Sequence, residues 1–350
     1  MMNKDHQIWV DYIRVVATLC VIFLHASAPL LDRYNDIPIT NWWIGNIYDS
    51  VMRICVPLFL LISGYLLLDK NENMIIFFKK RFHKVIVPLL AWSIIYIFWK
   101  HYYESSAPLS AFSFYSIILS PTYYHLWFLY TIIGIYLFMP ILRIITKHAD
   151  KQMLIYYVLL WFFSVSLVPL IEMFTGLNSK IDLYSISGFS GYFVVGFLLG
   201  KYTASNRVAM ISIFTFLLCV GFTTFSTYLF TIRNEGKFYG YFYGYLTPNV
   251  ILMSGSAFVA LKHFVENRVM FRNARVLVII YSLSSASLGI YLIHTIFLYL
   301  LAKGFFGITL SALIGNPILT IPATAVTTFF LSYLSIIVIK NIPILNRITP

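Results

Sequence analysis

Arg14 and His25 stand inside the first long apolar run of this 350-residue chain, Ile8 to Leu31. Ionisable side chains at membrane depth are costly and mark sites that hold a charged ligand or move a proton. The two are eleven residues apart. At about 100° per residue, eleven steps make roughly three helical turns, so both side chains share one stripe, on the order of 16 Å apart along the axis. Asp11 and Ala17 lie on the same stripe, at the three-residue offset that puts helix residues on one face. Asp11 can pair with Arg14, and a histidine, with a pKa ordinarily about 6.5, can act as a base at neutral pH. A snorkelling arginine and a histidine bonded to a neighbouring helix would explain either residue alone; their alignment favours function.

Further groups carry chemistry elsewhere in the chain. Lys79-Lys80-Arg81-Phe82-His83-Lys84 runs into Val85-Ile-Val-Pro88. It reads as a topogenic flank, or as a cradle for the phosphates of a nucleotide-bearing ligand, which arginine's bidentate fork suits. Tyr123-Tyr124-His125-Leu126-Trp127-Phe128-Leu129-Tyr130 lies at the mouth of another apolar run. Aromatics gather at membrane interfaces, and they also stack on sugar rings; His125 is unexplained by the first reading. Ser287-Leu-Gly289-Ile-Tyr291-Leu-Ile-His294 puts Tyr291 and His294 on one helix face. A second intramembrane histidine argues for a polar cavity. Val56-Pro57-Leu58-Phe59 with Ser63-Gly64, and Gly196-Phe-Leu-Leu-Gly200, signal a kink and close helix packing. Cys20, Cys55 and Cys219 fall singly in apolar runs. They offer no disulfide framework and no metal-ligand spacing, so no metal site is expected.

The elements that must position these groups follow from composition. The chain is 60% apolar and 11% charged, which excludes an ordinary soluble domain. It reads as all-α, a polytopic transmembrane helix bundle of about ten spans: 8–31, 43–68, 85–100, 123–142, 153–171, 187–200, 208–230, 241–261, 278–302 and 316–339. The first is too long for a cleaved signal peptide. Residues 112–119 could form a re-entrant piece. With a cytoplasmic N-terminus, the inner segments hold Lys4, five cations from Lys70 to Lys84, three from Arg143 to Lys151, Lys201 and Arg207, four from Lys262 to Arg275, and Lys340 and Arg347, seventeen in all. The outer segments hold six: Arg33, Lys100, Lys180, Arg233, Lys237 and Lys303. This bias places both termini in the cytoplasm and makes the span number even. The net charge of +12 is thereby assigned to topology, with the bilayer rather than nucleic acid as the partner. Residues 1–350 read as one integral membrane domain without a sequence repeat.

In this order, the segments resemble the acyltransferase 3 family of integral membrane acyltransferases. Its first helix carries an arginine, an alanine three residues on and a histidine eleven on, as Arg14, Ala17 and His25 do. Val56-Pro-Leu-Phe with Ser63-Gly64, the basic run ending at Pro88, His125-Leu-Trp127-Phe, Phe193-Val-Val-Gly196 and Ser287-Leu-Gly289-Ile-Tyr291-Leu-Ile-His294 are similar to family blocks. The chain is most similar to the short single-domain branch of surface-polysaccharide O-acyltransferases, the enterobacterial common antigen O-acetyltransferase among them. That branch lacks the soluble SGNH domain of the longer one. The stretch Phe128 to Tyr136 also lacks the acidic residues that the longer branch carries there, so no acidic role is carried over to this span.

The resemblance implies acyl transfer across the inner membrane. Acetyl-CoA, the acyl donor, would bind from the cytoplasm at Lys80, Arg81 and Lys84, with Arg14 deeper in the path. A glycan or lipid-linked oligosaccharide would approach from outside, against His125, Trp127, Tyr130, Tyr291 and His294. His25, assisted by Arg14 and Asp11, would be catalytic, either as general base or through an acyl-histidine on His25 or His294. A glycan exporter or proton-coupled carrier is the competing class, since buried histidines and arginines mark transport pathways too.

Overall fold

The computed structural model describes residues 7–104, 117, 119–176 and 188–349. Lys4, Lys180 and nearly all of the suggested re-entrant 112–119 piece lie outside the described residues.

Among the described residues the chain is helical without a strand. The helices are α1 Ile8–Ser27, α2 Ile39–Met52, α3 Cys55–Leu68, α4 Met74–Arg81, α5 Val87–Trp99, α6 Trp127–His148, α7 Lys151–Phe162, α8 Val168–Thr175, α9 Ser190–Lys201, α10 Asn206–Arg233, α11 Pro248–Asn267, α12 Ala274–Ala302 and α13 Pro317–Lys340. Several join into longer rods. Nine helical stretches are long and apolar enough to cross a membrane, and Ser190–Lys201 is a shorter apolar helix. The protein is a multi-pass helical bundle of about ten spans.

Local sequence explains the joints. α4 begins at Asn73, whose side chain accepts from the Ile75 amide at 2.9 Å. It continues through a π-helical turn, Phe82–Ile86, into α5. The fifth stretch does the same through Phe163–Leu167 between α7 and α8. Each wide turn ends two residues before a proline, Pro88 and Pro169. Proline has no amide hydrogen and its ring presses on the carbonyl four residues back, which a wider turn relieves. The third span therefore begins at Met74 instead of near residue 85, and carries the whole basic run on a helix. The second stretch is broken at Arg53 and Ile54, between α2 and α3.

α1 is the hub. It packs against α12, α3, α13, α2 and α11, so a polar stripe on it faces protein. α9 lies along α3 so closely that a Cβ on Gly196 would overlap the Leu61 carbonyl, and one on Gly64 the Phe193 carbonyl. Small residues let membrane helices approach in this way. On the periphery, Met210, Phe214, Leu217, Phe222 and Phe225 of α10 are exposed, as a lipid-facing surface requires.

Contacts between connections sort the two ends of the bundle. At one end, Lys201 Nζ meets Asp69 at 2.9 Å, Arg143 Nε donates to the Leu67 carbonyl at 2.9 Å, and Lys262 Nζ donates to the Tyr202 carbonyl at 2.7 Å. At the other, Asn35 Nδ2 donates to the Glu235 carbonyl at 3.1 Å, and the Tyr123 hydroxyl donates to Glu104 at 2.6 Å. Among the described residues, the connections thus sort into two groups, one at each end of the bundle.

Candidate active site

Three imidazoles meet near the end of the bundle that holds Tyr123. His25 reaches them from the last turn of α1, His125 from the 3-10 turn Tyr124–Leu126 before α6, and His294 from the interior of α12. His25 and His294 stack, with centroids 5.3 Å apart and planes 25° apart. His125 meets His294 edge-on at 5.2 Å. Tyr124 closes on the His25 ring at 5.0 Å, and Tyr96 on the His125 ring at 5.1 Å.

Hydrogen bonds orient two of the rings. His294 Nδ1 lies 2.6 Å from the Tyr291 carbonyl. A carbonyl can only accept, so this nitrogen carries the proton and Nε2 keeps a lone pair. His125 Nε2 lies 3.3 Å from the Leu292 carbonyl, which leaves its Nδ1 as the acceptor. Among the described residues, His294 Nε2 and His125 Nδ1 have no hydrogen-bond partner although both are buried. The Tyr291 hydroxyl donates to the backbone carbonyl of His125 and ties the two helices together. Among the described residues, no group of three or more His, Cys, Asp or Glu is placed to hold a metal ion.

Trp127 and Tyr130, one turn away, face elsewhere. Trp127 stacks on Tyr245 at 5.6 Å. The Tyr130 hydroxyl donates to the carbonyls of Ile117 and Ser120.

Arg14 and Asp11 form a separate centre. Arg14 Nη1 donates to Asp11 at 3.2 Å and to Ser284 Oγ at 2.7 Å, and Ser284 donates to the same Asp11 oxygen at 2.6 Å. Eleven helical residues put Arg14 roughly 16 Å from His25 along the axis, and Asp11 lies farther still. The stripe read from the sequence is real, but its two ends are distinct sites.

A cationic group occupies the end of the bundle that holds Asp69. The Arg81 guanidinium lies 5.2 Å from the centre of the Phe77 ring and 5.7 Å from that of Tyr136. Tyr136 is within electrostatic range of both Arg81 and Arg14, which links the two arginines. Lys84 is within range of Arg81, Lys70, Arg14 and Lys80. Arg143, which the sequence reading treated only as a topogenic charge, covers Phe77 at 4.5 Å. Lys80 is turned to the loop, where it bonds Glu72 at 2.6 Å. That bond holds the Glu72 carboxyl below its ordinary range, with the charges of Lys80, Arg81 and Arg143 assisting against the cost of desolvation. Among the described residues, Arg81 Nε is buried without a hydrogen-bond partner, and Arg143 Nη2 faces Glu72 Oε2 at 3.6 Å.

Sequence reasoning also missed Asp49 and Arg53, a buried carboxylate paired with a half-buried guanidinium at the break in the second stretch. The signal was there: a carboxylate and a guanidinium four residues apart inside an apolar run, at the spacing that pairs them on a helix.

Comparison with known proteins supplies the reaction class. A family profile described as an acyltransferase domain, that of the acyltransferase 3 family, matches residues 7–337. No curated protein and no solved structure matches the chain. The match covers nearly the whole chain, and the protein belongs to this family of membrane acyltransferases.

Proposed function

Within that family, we propose that this chain moves an acetyl or similar acyl group from cytoplasmic acyl-CoA to a hydroxyl of a surface polysaccharide. The acceptor is a nascent or lipid-linked glycan on the outer side of the inner membrane, and both chain termini are cytoplasmic. The observation that carries this reading is the division of polar groups. Cations gather at one end of the bundle, imidazoles toward the other, and both sets reach helix α1.

Arg81, Lys84 and Lys80 meet the donor's phosphates, and Arg143 adds a fourth cation. Arg14 receives the deeper part of the donor, held in place by Asp11 and Ser284. The acyl thioester reaches the histidines, where His125, Tyr291 and His294 shape the acceptor site. His25 takes the proton of the attacking hydroxyl as its oxygen bonds to the thioester carbonyl carbon. The carbon–sulfur bond then breaks, and the departing thiolate takes the proton back from the imidazolium. No net proton is consumed. Holding both reactants in register supplies much of the rate. His294 is the second candidate for the base, because it stacks on His25 and its Nε2 lone pair is left without a partner.

Purified protein in lipid nanodiscs, given acetyl-CoA labelled in the acetyl group, tests the reading. Release of free CoA with label on added glycan is expected. A carrier would move substrate without cleaving the thioester, and an intact thioester would end this proposal. Comparing glycans from cells with and without the gene, by NMR or mass spectrometry, identifies the acceptor.

A further inference from the structure

The break between α2 and α3 holds a polar centre that the transfer scheme does not use. Asp49 is fully buried, and Arg53 donates to its Oδ1 from Nε at 2.6 Å and from Nη2. The guanidinium lies 4.3 Å from the centre of the Tyr243 ring and 5.9 Å from that of Tyr245. Asn46 anchors the floor, accepting from the Tyr243 hydroxyl at 2.5 Å.

Three features set this centre apart from interhelical glue. First, Asp49 Oδ2 is buried and has no hydrogen-bond partner among the described residues. A carboxylate oxygen left without a donor in an apolar interior is expensive. Second, irregular backbone at membrane depth is tolerated where it is buried in protein or lines a cavity, and this pair sits on such a break. Third, the Arg53 guanidinium lies within electrostatic range of His25.

The chemistry of the pair names its ligand. Asp49 and Arg53 cancel in charge, so the centre attracts neither an anion nor a cation. Arginine has five N–H donors, and Asp49 takes only Nε and one from Nη2. The pair thus keeps N–H donors on Arg53 and an acceptor at Asp49 Oδ2, beside the rings of Tyr243 and Tyr245. That set fits adjacent hydroxyls on a neutral sugar ring. We propose that Asp49 and Arg53 form the subsite that grips hydroxyls of the acceptor next to the one that is acylated, and so position it for the histidines. This rests on the acyltransferase reading above; Asp49 and Arg53 are positioning residues.

The test uses full-length protein in nanodiscs, labelled acetyl-CoA, and unacylated surface glycan extracted from cells lacking the gene. Asp49→Asn and Arg53→Lys keep the shape of the pair, and Tyr245→Phe keeps its ring. In Asp49→Asn we expect the acceptor KM to rise at least tenfold. Binding of acetyl-CoA and its slow hydrolysis without acceptor should stay within about twofold of wild type. Equal loss of acetyl-CoA binding and transfer would make the pair purely structural and overturn the proposal. So would an unchanged acceptor KM. If Asp49→Asn does not reach the membrane, Arg53→Lys and Tyr245→Phe decide by the same split. Wild-type protein that binds no acetyl-CoA would instead defeat the acyltransferase reading itself, a result visible before any variant is made.

Discussion

His25 and His294 stack at 5.3 Å although they come from opposite ends of the chain. The α1–α12 contact makes this possible, and α12 also fixes His294 through the carbonyl one turn back. The two rings are thus in contact, while only His294 has its protonation pattern set by the backbone. A base and its neighbour can be told apart by substitution.

His25→Ala should lower acetyl transfer by about 10²- to 10⁴-fold, the range that general-base catalysis supplies. Membrane abundance should be normal. His294→Ala should also be impaired, and the double variant should lose little beyond the worse single one, because residues acting as a unit are not additive. Labelled product per mole of protein measures this. Unchanged acetylation in His25→Ala would remove that residue from the mechanism.

The donor site predicts a graded series. Arg81→Ala should weaken acetyl-CoA binding by about tenfold or more, the scale of a lost charge-assisted hydrogen bond. Lys84→Ala should cost less, since a point charge lacks the guanidinium fork. Arg14→Lys should also be impaired, because a lysine lacks that fork for the donor. Isothermal titration in nanodiscs reads all three; wild-type affinity in every one would discard this route for the donor.

Glu72 gives a pH dependence with a definite sign. Its folded pKa lies below the ordinary value of about 4.3, so its contribution is present above that value and lost as pH falls through the lowered one. Thermal unfolding followed from pH 6 downward should show a steeper loss in wild type than in Glu72→Gln. Parallel curves would mean that the Lys80 bond contributes nothing.

Sidedness is open to chemical labelling in a background lacking Cys20, Cys55 and Cys219. A cysteine at Asn35 or Asn234 should react with an impermeant maleimide in intact cells, and one at Asn73 should not. The opposite result would put thioester and glycan on the wrong sides for the proposed mechanism.

Gly196→Ala should cost more than the usual overpacking range of about 1–3 kcal/mol, because the added methyl meets the backbone of Leu61, which has no rotamer to yield. Gly134→Ala, with nothing near its Cβ, is the control. Equal melting temperatures for the two variants would show that α3 and α9 can separate freely.

Much of this protein was legible in one dimension because the bilayer constrains local sequence so strongly. Backbone groups in lipid must bond within their own helix, so apolar runs give spans. The shared face of Arg14 and His25 follows from helical periodicity alone. Span ends were less legible: the third starts at Met74 because a π turn before Pro88 lets a basic helix flow into an apolar one. Only tertiary structure decided which polar groups meet. Periodicity specifies a face but not its neighbour, and so it set Arg14 with His25, whereas packing joins Arg14 to Ser284 and His25 to His294. Asp49 and Arg53 went unread for the same reason. Their spacing implies a pair, but the aromatic wall that turns it into a candidate sugar subsite arrives from residues 243 and 245, brought there by the packing of the bundle.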